Sequence, residues 1–190
     1  MNILKIDIQK SLNFEKLYFH KSLFVKIWEH ILIIINILFF LYITGMNLYD
    51  DRLNSEPYGW SLFLFVFMII IAYAAYYLSS KSNSLEKIEG ISEIINTKIV
   101  KEITENNKWR IHSDEKGLDI INVSFLDTQT DYGKQIVILY NGNDVLVNCI
   151  SFALGKTPNP FNWFSNKRME KQFRVEFYKL KKRITTTPIK

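Results

Sequence analysis

The stretch "PYGWSLFLFVFMIIIAYAAYYLSS", residues 57–80, runs for 24 residues without a charged side chain. It opens with Tyr58 and Trp60 and closes with Tyr73, Tyr76 and Tyr77, rings of the kind that sit at the headgroup level of a bilayer. A helix apolar on every face belongs in a membrane or in the core of a large protein, and 190 residues leave little room for such a core. The stretch therefore reads as a membrane span.

Upstream, "ILIIINILFFLYITGMNLY", residues 31–49, is charge-free for 19 residues, about 28 Å of helix against a hydrocarbon core of roughly 30 Å. Only "DDRLNSE", residues 50–56, separates the two runs by charge. This predicts a tight antiparallel two-helix transmembrane hairpin within 24–80, with spans at about 27–49 and 58–79. Lys5, Lys10, Lys16, Lys21 and Lys26 precede the first span, and Lys81 and Lys87 follow the second. Basic flanks favour the cytoplasmic side, so both termini are expected there. The apolar run begins near residue 31 and has no small-residue cleavage site after it, unlike a removable signal. The lone Cys149 agrees with a reducing compartment.

Residues 1–23 include Phe14, Leu17 and Tyr18 among lysines, a basic amphipathic segment expected to lie on the cytoplasmic leaflet. A helical extension of the first span is the alternative. After the polar joint "SSKSNS", residues 79–84, Ile88, Ile91, Ile95, Ile99 and Ile103 recur at helical intervals. One helix over about 84–106 is expected, with Asn83 and Glu86 at its cap.

Four β-rich runs follow: "KWRIH" (108–112), "LDIINVSFL" (118–126), "KQIVILY" (134–140) and "DVLVNCISFAL" (144–154). Asn141-Gly142 between apolar runs suits a type I′ hairpin turn. In residues 166–183, Met169, Phe173, Phe177 and Leu180 fall at helical spacing, although "FRVEFYKL" also alternates as a strand does. The expected soluble part is a small α+β cytoplasmic domain over 81–184, ordered helix, antiparallel meander of three to four strands, helix. Trp109, Phe125, Tyr140, Phe152 and Phe173 are its expected bulk, and 185–190 a flexible tail.

Catalysis has little material. The domain has one histidine, His112, and one cysteine, Cys149, with no carboxylate pair at a motif spacing. No two Cys or His residues stand at metal-ligand spacing. Neither a catalytic residue, a metal nor a cofactor is expected, and the domain reads as a non-enzyme. "GKT", residues 155–157, imitates the end of a phosphate loop, but that loop needs glycine at position 150, where the chain has Ile150.

A different anion site is suggested by charge. Residues 156–190 carry ten lysines and arginines against two acids, whereas 81–155 carry eight against eleven. Within the basic end, "FNWFSNKR", residues 161–168, sets aromatics beside amides and cations. Aromatic faces stack on bases, amides read base edges, and Lys or Arg pair with phosphates. Lys156, Trp163, Asn166, Lys167 and Arg168, extended by Lys171 and Arg174, form the candidate ligand site. Two other readings stay open: a core layer with a solvated rim, and contact of "KLKKR", residues 179–183, with anionic lipid.

In order and size the layout resembles the two-span membrane effectors of bacterial antiphage signalling. Two branches are similar: the type III CRISPR effector that senses cyclic tetra-adenylate, and the two-span β-rich effector of CBASS operons. The resemblance is one of architecture, and no site residue is carried over from it. It implies a homo-oligomer whose cytoplasmic domain binds a cyclic oligonucleotide and whose rearrangement disrupts the inner membrane in abortive infection. A bacterial pleckstrin-like domain on a two-span anchor is a third similar layout, implying lipid or protein binding. The alternative function is a membrane-anchored interaction or immunity protein that meets a protein partner or lipid headgroups.

Overall fold

Two runs with almost no polar alternation, "KQIVILY" and "DVLVNCIS", form the centre of the sheet, buried on both faces as such runs require. The computed structural model describes residues 5–20, 35, 38–47, 49–50, 59–123, 133–152, 159 and 162–186. The chain divides into two units, Met1–Phe19 with Ser79–Lys190, and His20–Leu78.

The first unit holds helix α1 (Ile8–Phe14), strand β1 (Glu86–Glu89), helix α4 (Glu93–Asn106), strands β2 (Arg110–Glu115), β3 (Leu118–Val123), β4 (Lys134–Asn141) and β5 (Asp144–Ser151), and helix α5 (Trp163–Thr186). Helices α2 (Leu38–Asn47) and α3 (Gly59–Ser82) precede β1 in the chain. The five strands lie in the order β1-β5-β4-β3-β2 with every neighbour antiparallel.

One face of the sheet carries Ile121, Ile136, Ile138, Val145, Val147 and Cys149, packed with Ile99 and Ile103 of α4 and Phe173, Phe177 and Leu180 of α5. The other carries Leu118, Ile120, Val137, Leu139, Leu146 and Ile150, covered by Ile6, Leu17 and Leu85. The N-terminal segment expected on a membrane leaflet thus turns Ile6, Ile8, Leu12, Leu17 and Phe19 to the sheet, while Phe14 is exposed. It is closed on itself by the Asp7 N–H donating to Tyr18 O at 2.8 Å and by an Ile6–Phe19 bridge. Asp7 caps α1 through the Lys10 N–H, at 3.0 Å.

The helix expected over 84–106 is instead a strand followed by a helix. Ile88 enters the core from β1, which pairs with β5, and Ser92 caps α4 by accepting from the Ile95 N–H. Gly90 makes the break: a Cβ there would overlap Asn96 and the Asn143 carbonyl. Asn96, fully buried, accepts from the Ile91 N–H and donates to Asn143 O, each at 3.0 Å, tying the β1–α4 corner to the β4–β5 turn. In that turn Asn141 pairs with Asp144, so Gly142 and Asn143 are central. Only Gly142 has positive φ, 61°, the sign pattern of a type II′ turn rather than the expected I′. Phe125, named for the core, lies outside the described residues.

The expected two-helix transmembrane hairpin is corrected. Among the described residues one helix is long and apolar enough to cross a bilayer, Leu62–Ser82 within α3. A shorter apolar helix, α2, is described over Leu38–Asn47. Leu62, Phe63, Ile69, Ile70, Tyr73 and Tyr76 of α3 are all exposed.

The last turn of α3 belongs to the first unit. Asn148, buried on β5, donates to Ser82 O at 2.9 Å and Ser84 O at 2.8 Å. Alongside, the Leu17 N–H donates to Asn83 O at 2.7 Å and the Leu85 N–H to Glu15 O at 2.9 Å. These contacts hold the exit from the helix and the N-terminal segment side by side on the sheet.

Candidate functional site on the closing helix

An α-helix turns each residue by about 100°, so neighbours in sequence face different ways. In α5 this disperses the cluster read from the sequence. Asn166, Glu170, Phe173, Phe177 and Leu180, at intervals of four and three, are buried against the sheet and α4.

Asn166 lies on that inner face. Its Oδ1 accepts from Ser151 Oγ at 2.5 Å and lies 3.9 Å from Cys149 Sγ. Glu170, 2% exposed, accepts the Cys149 N–H at 3.0 Å and forms an ion pair with Lys167. Burial pushes the Glu170 carboxyl above the usual carboxylate range, against the opposing pull of Lys167 and the Cys149 N–H. Trp163 is half-buried, edge-to-face with Phe164 at 4.8 Å, and its Nε1 finds no hydrogen-bond partner among the described residues.

Arg174, on the flank, pairs with Glu86 of β1. Further along, Lys181 Nζ donates to Glu89 O at 2.7 Å, Arg183 pairs with Glu102 of α4, and Asn107 donates to Glu176 at 2.8 Å. These side chains fasten α5 to the domain.

Of the seven expected ligand residues, Asn166, Lys167 and Arg174 are therefore engaged within the fold, and Trp163 packs beside Phe164. Arg168 and Lys171 are exposed on the outward face, and Lys156 lies outside the described residues. Among the described residues, these side chains do not share one face of α5.

What the sequence reading missed is the outward stripe that Arg168 and Lys171 belong to. Phe164, Arg168, Lys171, Val175, Tyr178, Lys179 and Lys182 all lie opposite the buried row and are all exposed. The side chains of Arg168, Lys171, Lys179 and Lys182 have no ion-pair or hydrogen-bond partner among the described residues, and this face has no carboxylate. The signal that finds the stripe is the helical period itself, started at Trp163 and followed on the polar side.

The remaining reactive groups stand apart. Cys149 is buried on β5, in a row that runs through Ile136 and Ile121 to Ile111 of β2. His112, the next residue on β2, faces the opposite side and is exposed. Three strand spacings, about 14 Å, separate the strands that carry Cys149 and His112. Tyr140 donates to the buried Asp119 at 2.6 Å, and burial pushes its hydroxyl above the ordinary value. No group of three His, Cys, Asp or Glu among the described residues has the arrangement of a metal site. Compared with known proteins, the chain matches no family model, no curated protein and no solved structure.

Proposed function

We propose that the chain is a membrane-anchored binding module, in which α3 is embedded in a bilayer and the α+β domain meets a partner by surface contact. The observation that carries this reading is α3 itself. It is a helix of 24 residues whose apolar side chains are exposed along Leu62–Ser82 and whose end is hydrogen-bonded into the domain. Burying one Leu or Ile side chain is worth about 1.5–3 kcal/mol, so a helix covered with them calls for a nonpolar surrounding.

Binding suits the domain better than bond chemistry does, because Cys149 and His112 lie three strands apart on opposite faces. A cyclic oligonucleotide, the ligand implied by the resemblance, would draw on Asn166, Lys167 and Arg174. Their bonds inside the domain argue against that use. Residues 5–19 and 82–85 meet on one sheet face, so in this reading the N-terminal segment lies on the same side of the bilayer as the domain.

The test is made on the full chain in native membranes. Alkaline carbonate should leave it in the membrane fraction. Lys10→Cys and Arg168→Cys, both exposed positions, should react with an impermeant maleimide from the same side of sealed vesicles. Release by carbonate overturns the anchor, and labelling from opposite sides overturns the shared side.

A further inference from the structure

We infer that the outward face of α5 is a docking surface for anionic lipid headgroups, an inference that rests on the membrane-anchored reading. From Phe164 to Lys182 the face extends about 27 Å along the helix, with Arg168, Lys171, Lys179 and Lys182 as its cations. The cations on the flanks of the same helix are tied to Glu86, Glu102 and the Glu89 carbonyl. Those on the outward face are not, and no acid interrupts them. The fold has thus sorted the positive charge of α5 into a part that holds the helix and a part turned outward.

Apolar side chains are interleaved with the outward cations. Phe164 is 73% exposed, Val175 59% and Tyr178 41%. Cations ringing a row of apolar groups suit the boundary between headgroups and acyl chains, where long basic side chains reach outward and rings and methyls sink inward. A nucleic acid would use the cations and could stack on the rings, but Val175 at the centre of the face has nothing to offer a base or a phosphate. The tether adds to the argument: a chain held in a bilayer meets its headgroups at high effective concentration. Contact of this kind is screened by salt over a Debye length of about 8 Å.

The experiment uses the full chain reconstituted in phosphatidylcholine vesicles with or without phosphatidylglycerol. A polarity-sensitive dye is placed on Val175→Cys, with Asn141→Cys at the exposed β4–β5 turn as the control. Cys149 is 1% exposed, which leaves the introduced thiol as the reactive one. Headgroup spin-labelled lipid should quench the dye at position 175 in anionic vesicles, and much less in neutral vesicles or high salt. Reversing Arg168, Lys171, Lys179 and Lys182 to Glu, or neutralising them to Gln, should bring quenching down to the level at position 141.

Equal quenching at the two positions, or quenching that survives both substitutions, overturns the inference. So does displacement of the signal by cyclic tetra-adenylate or an RNA duplex, which would assign the face to nucleotides. Retention in carbonate-washed neutral vesicles scores the anchor separately. Loss of that retention defeats the anchor, whereas loss of anionic-lipid quenching alone defeats only this surface.

Discussion

Helices α3 and α5 are each 24 residues long, and they solve opposite problems. α3 spreads apolar side chains around its circumference and leaves Leu62–Ser82 unburied. In α5 five positions face inward, among them Phe173 and Phe177 at 0% exposure, and cations cover much of the rest. Length is equal, so what separates them is the angular distribution of side chains. A one-sided apolar stripe is satisfied by the chain's own sheet, while an all-round apolar surface needs an external nonpolar phase.

The comparison is tested most severely by truncating the inward row of α5. Phe177→Ala removes a side chain at 0% exposure from the core shared by the sheet and α4, and should cost about 3–5 kcal/mol of domain stability. Denaturant unfolding of the full chain in detergent measures it, and a cost near zero would mean that α5 is not held by this stripe.

The counterpart on α3 is Ile70→Asp, at a residue 58% exposed. A carboxylate at the centre of a bilayer-embedded helix costs about 3 kcal/mol on insertion scales, so the variant should partition out of carbonate-washed membranes. The equivalent change on the outward face of α5, Val175→Asp, should leave that partition unchanged. Equal behaviour of the two variants would erase the distinction between the helices.

A third measurement separates the inner face of α5 from its outer one by pH. Burial raises the Glu170 carboxyl in the folded state above its ordinary value near 4.5. The stability linked to this group is then fully present below that value and is lost as pH rises through the folded one. Glu170→Gln cannot ionise, so the stability of the variant relative to the parent chain should grow as pH climbs from 4.5 toward neutrality. A difference that does not change with pH over that window would show that the carboxyl is not perturbed. The smallest effect is expected on the flank: Arg174→Ala breaks the half-exposed pair with Glu86 and should cost about 0.5 kcal/mol or less.

Much of the domain was legible before its structure. The runs at 118, 134 and 144 became β3, β4 and β5 because each is rich in β-branched residues and bounded by turn residues. The helical spacing of Phe173, Phe177 and Leu180 outweighed the strand-like alternation of "FRVEFYKL", since only a helix buries all three with Asn166 and Glu170. The isoleucine row at 88–103 misled because its period continues across Gly90 although the backbone does not. A strand can deliver Ile88 to the same core that a helix supplies with Ile99.

The candidate site was legible only as composition. "FNWFSNKR" does gather aromatics, amides and cations in sequence, but a helix sends Asn166 inward to Ser151, Lys167 to Glu170 and Arg168 to the outside. That helix opens at Trp163, three residues after Pro160. Pairings such as Arg174 with Glu86, 88 positions apart, could not be read from local spacing.

By itself, then, the sequence determined hydrophobicity and charge: an apolar stretch at 57–80, a basic end after residue 155, and strand-forming runs between them. These are sums over neighbouring residues, and they survive any folding. Tertiary structure decided which cations are tied down and which face outward, and that the second sheet face is closed by residues from the chain's own N-terminus. Both depend on contacts between positions far apart in the chain. Burial is a property of the packed surface around a side chain, and no local spacing encodes it.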